Sequence, residues 1–209
     1  MGLLKKYFNQ TRKPEGVLGK LMISGMNGGH AKMADWGMAY LKGVEPQHIA
    51  ELGCGGGRNA AELLKQYPNA RVTAVDYSAL SVEKAAAYNA EAIAAGRCEV
   101  LQGDVSALSL RSEAYDLATA FETVYFWPGL ETCFAEVARV LKPGGAFLIC
   151  NESDGTDAAS LKFEQIIEGM KCHTAEQLEA ALKAAGFSSV TAYHHPSKPW
   201  LAVLANKEQ

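Results

Sequence analysis

The stretch that most constrains the fold is Glu51-Leu-Gly-Cys-Gly-Gly-Gly57, a run of glycines between two patterned segments. The apolar pair Ile49-Ala50 before it is typical of the end of a buried strand. After it, apolar residues at helical spacing predict a helix: Ala60, Leu63, Leu64 and Tyr67. Glycines at positions 53, 55 and 57 permit positive φ and let a ligand approach backbone amides at a helix N-terminus. The sequence therefore predicts a strand, a glycine turn and a helix, with a polar ligand on the turn.

The spacing of the glycines bears on which ligand this is. A dinucleotide fingerprint requires a third glycine where Arg58 stands, which argues against a bound pyrophosphate. The pattern acid-x-Gly-x-Gly-x-Gly instead resembles the nucleotide loop of the class I S-adenosylmethionine-dependent methyltransferases. The resemblance implies that the turn faces the methionyl group and ribose of the cofactor, through Glu51, Gly53, Cys54 and Gly55. A turn that only packs a helix on a strand is the alternative.

An acid follows the second predicted strand. Residues 70–76 are rich in β-formers and end at Asp76, 23 residues beyond Gly53, with Tyr77 next. Two carboxylate oxygens at this place match the two hydroxyls of a ribose. A cap of the following helix is the other role that Asp commonly has at such a turn. The position after the glycine loop favours the ribose, and Tyr77 is assigned to the same cofactor site.

A Gly-Asp pair follows the third predicted strand. By itself such a pair is a turn. In the resembled family it contacts the adenine, and Gly103, Asp104 and Val105 match that pattern. Residues 115–121 form a short apolar strand, as expected of a central parallel strand. Phe121 at its end is assigned to the cofactor site too.

The acceptor side of the site is predicted from the exit of the fourth strand and from the N-terminus. Glu122 and His30 are the candidates for taking a proton or orienting the acceptor. Acceptor-binding candidates are Asn27, Tyr125, Trp127 and Asn151. Residues 17–41 predict two helices, separated by a glycine joint at 25–29. The resemblance implies that this N-terminal piece lies over the cofactor.

The remaining chain predicts further elements. A Lys-Pro-Gly-Gly stop at 142–145 precedes a fifth strand at 146–150, and an extra helix around 163–170 follows. That helix serves either as a lid on the acceptor site or as support for the sheet edge. Thr174 and Gln177 form a capping box for a last helix, and residues 188–193 and 200–205 predict two closing strands.

All these polar candidates follow strands, so in a parallel sheet they collect at the carboxyl edge, where open α/β sheets bind ligands. We therefore predict an α/β fold with a doubly wound, mostly parallel seven-stranded sheet (the Rossmann-like methyltransferase fold), its last strand antiparallel. The chain 1–209 is predicted as one domain. It comprises an N-terminal helical cap at 1–45, a cofactor-binding core at 46–151 and a closing segment at 152–209.

Composition limits the classes of function. With 209 residues, 48% hydrophobic and 21% charged, the chain is long enough for one full core. A net charge of -3 gives no electrostatic footprint for nucleic acid, and no apolar run reaches membrane-spanning or signal-peptide length. The five cysteines form no CxxC pair, so we expect no metal site, buried thiols and a cytoplasmic location. Oligomeric state is left open.

The resemblance implies methyl transfer from S-adenosylmethionine to a small-molecule acceptor by in-line displacement, with S-adenosylhomocysteine as product. Such an enzyme holds the nucleophile in line, excludes water and removes any proton that the acceptor carries. The most similar subgroup is that of the small-molecule methyltransferases of quinone biosynthesis. A non-catalytic S-adenosylmethionine-binding protein and a nicotinamide-dependent oxidoreductase are the alternatives.

Overall fold

The protein is built on one sheet of seven strands. The computed structural model describes residues 9–12 and 14–209, apart from the side chains at positions 9, 17, 20, 24, 26 and 27. The strands are β1 (His48–Leu52), β2 (Arg71–Asp76), β3 (Cys98–Gln102), β4 (Tyr115–Phe121), β5 (Leu141–Asn151), β6 (Phe187–His194) and β7 (Leu201–Lys207). Their order is β3-β2-β1-β4-β5-β7-β6. Neighbours from β3 to β5 pair in parallel, and β7 runs antiparallel to both β5 and β6. The predicted sheet is confirmed.

Eight α-helices flank the sheet in the described ranges. They are α1 (Gly16–Gly29), α2 (Ala31–Met38), α3 (Arg58–Gln66), α4 (Ala79–Tyr88), α5 (Ala90–Ala94), α6 (Leu130–Val140), α7 (Ala158–Ile166) and α8 (Ala175–Ala184). Short 3₁₀ turns lie at Asn9–Thr11, Ala39–Leu41, Val105–Ala107 and Val124–Phe126. None of the helices that the structure describes is long and apolar enough to cross a bilayer.

The two faces of the sheet carry separate cores, because successive strand residues point to opposite sides. In β1, Ile49 packs into the core shared with α2 and α3, whereas Ala50 and Leu52 pack into the core shared with α6 and α8. Phe134 of α6 and Leu63 of α3 are both fully buried, one in each core. The sheet is thus covered by helices on both sides, as a doubly wound fold requires.

The direction of winding reverses between β1 and β4. From β1 the chain moves outward to β2 and β3, then returns to place β4 on the other side of β1. The loops that leave these two strands therefore diverge and open a crevice at the carboxyl edge, where doubly wound sheets bind their ligands.

The N-terminal helices differ from the predicted arrangement in one respect. The expected joint at residues 25–29 is wrong, because α1 continues through these glycines and the break falls at His30. Glycine inside a helix costs about 1 kcal/mol relative to alanine. Burial of Met22 and Ile23 on the preceding turns offsets that cost.

The segment after β2 is two helices rather than one. The first helix, α4, ends at Tyr88, whose side chain is 53% exposed. The break lies at Asn89, which is buried and whose Nδ2 donates to the carbonyl oxygens of Gly57 (2.9 Å) and Ala85 (3.0 Å). The helix is thus interrupted at Asn89, whose buried side-chain amide hydrogen-bonds to the N-terminus of α3.

The C-terminal part agrees with the sequence in most details. The capping box of Thr174 and Gln177 is present at the start of α8. β5 begins at Leu141, so the predicted stop at 142–145 forms the irregular start of a long strand. The extra helix is α7, which contributes no buried residue among those described. The division into cap, core and closing segment stays a prediction.

Candidate functional site

The glycine turn is fastened to the end of β2. The N–H groups of Gly53 and Cys54 donate to the carbonyl oxygen of Val75 at 2.7 and 3.0 Å. Gly53 has φ +80°, and a Cβ there would lie 2.2 Å from the Oγ1 of Thr123. Gly55 has φ +51°, and a Cβ there would meet nothing within 4 Å. Position 53 is thus closed by a neighbouring side chain, whereas position 55 faces open space, as a ligand-approach site requires.

Asp76 joins this turn to the exit of β2. Its Oδ2 accepts a hydrogen bond from the Gly55 N–H and its Oδ1 one from the Ser78 N–H, each at 2.9 Å. The following helix α4 is capped by Ser78, whose Oγ accepts from the N–H of Ser81, so Asp76 is not its N-cap. Burial raises the pKa of Asp76, against the lowering effect of these hydrogen bonds. The Ser81 side chain also acts on this carboxylate, which faces the cavity.

A cavity of about 230 Å³ lies at this edge of the sheet. Its wall combines the glycine turn with the exits of three strands and with part of the N-terminal segment. Of the predicted site residues, those on the wall are His30, Gly53, Cys54, Gly55, Asp76, Tyr77, Gly103, Asp104, Val105, Phe121, Glu122 and Trp127. The structure therefore brings most of the candidate cofactor residues together around one space.

The N-terminal segment closes one side of this cavity. The Tyr77 hydroxyl donates to the carbonyl oxygen of Arg12 at 2.7 Å, and the Ser78 Oγ donates to that of Pro14 at 3.2 Å. Arg12 and Pro14 also line the cavity. Tyr77 thus binds the covering segment with its hydroxyl while its ring remains on the wall.

Two predicted acceptor-binding residues are placed away from the wall, and a third lies outside the described side chains. Tyr125 and Asn151 are buried and are absent from the described cavity wall, and the side chain of Asn27 lies outside the described residues. The Tyr125 hydroxyl donates to Glu122 at 2.9 Å and accepts from the Ser153 N–H at 3.0 Å. Direct acceptor contact by Tyr125 and Asn151 has no support in this geometry, because both lie beneath the wall.

Glu51 lies fully buried below the glycine turn. Neither of its carboxylate oxygens has a hydrogen-bond partner within the described part of the chain. Burial, and then the charge of Asp76, raise its pKa to about 8. An unpartnered carboxyl group at this depth fits a ligand that brings positive charge, since that charge would offset the cost of ionising it.

His30 and Glu122 on the cavity wall lie next to Glu152, which is not on the described wall. The Nδ1 of His30 lies 3.7 Å from the Oε2 of Glu122 and 3.3 Å from the Oε2 of Glu152. Burial raises the pKa of Glu122 to about 7, although the nearby His30 lowers it. Burial lowers the pKa of His30, but contact with Glu152 and the charges of both carboxylates outweigh it, so that pKa is raised. The two predicted catalytic residues therefore share one ionisable cluster.

The same three side chains present one nitrogen and two oxygens within 4.8 Å of one another, a spacing that a metal ion could use. An ion pair between an imidazolium and two carboxylates explains the arrangement equally well. The absence of a metal site therefore stays a prediction from the sequence.

Two residues of the site were not assigned from the sequence. Arg58 lines the cavity and donates from Nη2 to the Oδ1 of Asp35 at 2.6 Å, which ties α3 to α2. Glu152 follows β5 directly and reaches His30, whereas Asn151 remains in the strand and is buried. The alternation of side chains along a strand could have indicated Glu152 in place of Asn151, because neighbouring residues at a strand end point to opposite faces.

The fold and site together define a class of protein. A doubly wound sheet with a glycine turn after β1 and an acid after β2 is the architecture of proteins that bind a nucleoside at the switch point of the sheet. Comparison with known proteins identifies the family. Residues 49–145 match the family model described as "Methyltransferase domain". This match spans slightly less than half of the chain and, with the relatives below, supports a class I S-adenosylmethionine-dependent methyltransferase.

Individual relatives agree with this family. The chain is 29% identical over 181 residues to a malonyl-[acyl-carrier protein] O-methyltransferase of Geobacter sulfurreducens, covering 78% of this chain and 66% of the relative. It is 28% identical over 169 residues to the sterol 24-C-methyltransferase ERG6B of Gibberella zeae, covering 76% of this chain and 43% of the relative. The chain thus spans less than two thirds of the length of these relatives.

A solved structure shares the fold. It is a chain of the structure described as "Complex between the Haloferax volcanii Trm112 methyltransferase activator and the putative methyltransferase", which superposes with a TM-score of 0.80 at 19% identity. The alignment covers 90% of this chain and 94% of that one. Agreement at this level of identity concerns the architecture of the sheet and helices.

Proposed function

We propose that this chain transfers the methyl group of S-adenosylmethionine to a small-molecule acceptor. The observation that carries the proposal is the cavity at the switch point, whose wall joins the glycine turn, Asp76 and the Gly103–Asp104 exit. Family membership supports the same reaction.

The residues present fit this methyl donor. Asp76 offers acceptor oxygens to a ribose diol from a position fixed by the Gly55 and Ser78 amides. Val105 and Phe121 supply apolar wall at the strand exits, as a purine ring needs. Asp104 is itself held in place, because its Oδ1 accepts from the N–H and the Oγ of Ser106. Glu51 is not on the described cavity wall, so its contact with the positive end of the ligand stays a prediction.

When bound, S-adenosylmethionine supplies a sulfonium methyl group that is already electrophilic. The protein's part is to hold the acceptor in line with it, exclude water and take up a proton where one is released. His30 and Glu122 lie on the same wall as the glycine turn and are the titratable groups proposed for that task. The residues assigned to cofactor and acceptor here are proposals.

The relatives support the reaction more directly than they support any particular acceptor. The names of the two relatives refer to a malonyl thioester carrier and to sterols, which differ widely in shape. They support methyl transfer without choosing an acceptor for this chain. The similarity to the quinone-biosynthesis subgroup stays a prediction, and a cytoplasmic location is proposed with support from five free, buried thiols.

Calorimetry with three ligands tests the proposal. We expect S-adenosylmethionine and S-adenosylhomocysteine to bind in the cavity and NADH to show no heat of binding. Binding of NADH in place of the other two would overturn the assignment in favour of a nicotinamide-dependent enzyme. Binding of S-adenosylmethionine with no turnover on any acceptor would instead indicate a non-catalytic binding protein.

A further inference from the structure

The start of one helix and the ends of two strands bring three ionisable side chains together. His30 directly precedes α2, Glu122 follows β4 and Glu152 follows β5, and β4 and β5 are neighbours in the sheet. The Nδ1 of His30 faces both carboxylates, at 3.3 Å from Glu152 and 3.7 Å from Glu122. Of the two imidazole nitrogens, Nδ1 is therefore the one that lies beside the carboxylates.

Glu122 is held by two hydrogen bonds on one of its oxygens. Its Oε1 accepts from the Tyr125 hydroxyl at 2.9 Å and from the Glu152 N–H, and its Oε2 faces His30. Its own N–H donates to the carbonyl oxygen of Cys150 at 2.9 Å, and its φ is +58°. A carboxylate held in this way is fixed in orientation, with its Oε2 directed at His30.

His30 has one buried and one open edge. Its Nδ1 is buried and makes no hydrogen bond of good geometry among the described residues, whereas 31% of the side chain is exposed. The exposed edge of the ring is therefore the one that carries Nε2, and His30 is part of the cavity wall. Two carboxylates beside Nδ1 favour a proton on that atom, which leaves the lone pair of a neutral ring on Nε2.

Charged groups around the helix do not cancel this effect. Arg58 packs against α2 and is paired with Asp35 of that helix at 2.6 Å, and the charges that shift the pKa of His30 are those of Glu122 and Glu152. Its Nη1 also donates to the carbonyl oxygen of Ala31. The two glutamates are thus left to stabilise the imidazolium that forms when Nε2 takes up a proton.

We infer that Glu152 is a positioning residue which, together with Glu122, keeps the proton of neutral His30 on Nδ1, so that Nε2 is the base for the acceptor. The inference rests on the proposed function and narrows its substrate class. The acceptor is a compound whose nucleophilic atom carries a proton, an O–H, S–H or N–H group. Its nucleophilic atom bonds to the methyl carbon while the sulfonium C–S bond breaks with its electron pair passing to sulfur, and the released proton goes to Nε2.

Nitrogen NMR on histidine-labelled protein tests the tautomer without any acceptor. In the presence of EDTA and at a pH where the ring is neutral, we expect His30 to carry its proton on Nδ1. His30→Asn, which lacks this signal, assigns it. Glu152→Ala is expected to increase the fraction of the Nε2–H tautomer, which free imidazole side chains favour, and to lower the pKa of His30. Glu83→Ala on the exposed face of α4 is the matched control and should change neither quantity.

Two outcomes would overturn the inference. An Nε2–H tautomer in the unaltered protein would place the lone pair on the wrong edge of the ring. Unchanged tautomer and titration in Glu152→Ala would leave Glu152 without a positioning role. Both measurements use the ligand-free protein. Failure to bind S-adenosylmethionine would therefore contradict the proposed function, while the tautomer could still be determined.

Measurements of turnover provide a second test of the inference. With radiolabelled S-adenosylmethionine and a panel of phenols, thiols and amines, we expect His30→Asn to lower kcat by about 100-fold or more, as loss of a general base does. Glu152→Ala should move the acidic limb of the pH profile of kcat with little change in the KM for S-adenosylmethionine. A pH profile identical to that of the unaltered protein would contradict the role given to Glu152.

Discussion

Asp76 holds the glycine turn and faces the cavity with the same carboxylate. Asp76→Ala removes two charge-assisted hydrogen bonds and the proposed ribose acceptor. Hydrogen bonds to charged groups contribute roughly 1.5–3 kcal/mol each, so we expect the Kd for S-adenosylmethionine to rise by about 100-fold, measured by calorimetry.

Asp154 is a matched control for this substitution. It also accepts two hydrogen bonds, from the N–H and Oγ1 of Thr156, but is not on the cavity wall. Asp154→Ala should leave the affinity unchanged. Equal affinity in Asp76→Ala and the unaltered protein would remove Asp76 from the cofactor site.

Gly53 is constrained by a neighbour as well as by its own backbone. A methyl group there would collide with Thr123, and φ is +80°. We expect Gly53→Ala to lower the free energy of unfolding by roughly 3 kcal/mol, from left-handed strain and overpacking combined. Gly43 has φ +88° with nothing within 4 Å of the added atom, so Gly43→Ala isolates the strain at roughly 1 kcal/mol. Equal losses in urea unfolding of the two variants would rule out the steric contribution.

At the scale of the elements, α2 is the helix that fixes His30. A Cβ at Gly37 would lie 2.3 Å from the Sγ of Cys150, so the absence of a side chain lets α2 lie against β5. Beyond it, rings from α2, the following 3₁₀ turn, β6 and the loop between β6 and β7 pack together: Trp36, Tyr40, Tyr193, His195 and Trp200. The C-terminal strands therefore clamp the N-terminal helix onto the sheet.

This clamp gives a prediction at the element scale. Trp200→Ala removes the ring that contacts both Trp36 and His195, and we expect a loss of roughly 2 kcal/mol, because the ring is only half buried. Hydrogen exchange should accelerate in α2 while β1 and β4 stay protected. Leu161→Ala on α7, with its 37% exposed side chain, should cost less than about 0.5 kcal/mol. Uniform acceleration across the sheet would show that the clamp is not local.

For the whole molecule, the buried carboxyl of Glu51 links stability to pH. Its folded pKa of about 8 exceeds the ordinary value of 4.5, so between these values the folded state binds the extra proton. Stability is therefore greatest below the ordinary value and falls as pH rises through 8. Over this pH range the free energy of unfolding falls by an amount on the order of a few kcal/mol.

Glu51→Gln should remove that part of the dependence. Glu122, with a pKa of about 7, contributes a similar decline at lower pH, so the effect of Glu51 is clearest between about pH 7 and 8. We expect urea unfolding at pH 8 to show the variant as more stable than the unaltered protein, with weaker binding of S-adenosylmethionine. Glu83→Gln is the surface control. An unchanged slope in Glu51→Gln would mean that Glu51 ionises normally.

The limits of sequence reasoning are visible at particular residues. Tyr125 and Trp127 follow the same strand and look alike in the sequence, yet the first lies below the cavity and the second on its wall. Asn151 and Glu152 are adjacent, and the one expected to reach the acceptor is buried. A local pattern gives the position along the chain, whereas the direction of a side chain after a strand ends depends on the loop that follows.

The sequence alone determined the sheet, the glycine turn and the edge at which the polar residues gather. These follow from spacings of two and of three to four residues, and such spacings are properties of a strand or helix by itself. The tertiary structure alone decided that α1 runs through its glycines, that Glu51 has no partner among the described residues, and that Glu152 meets His30. His30 and Glu152 are more than a hundred residues apart in the sequence, and no local periodicity records their contact.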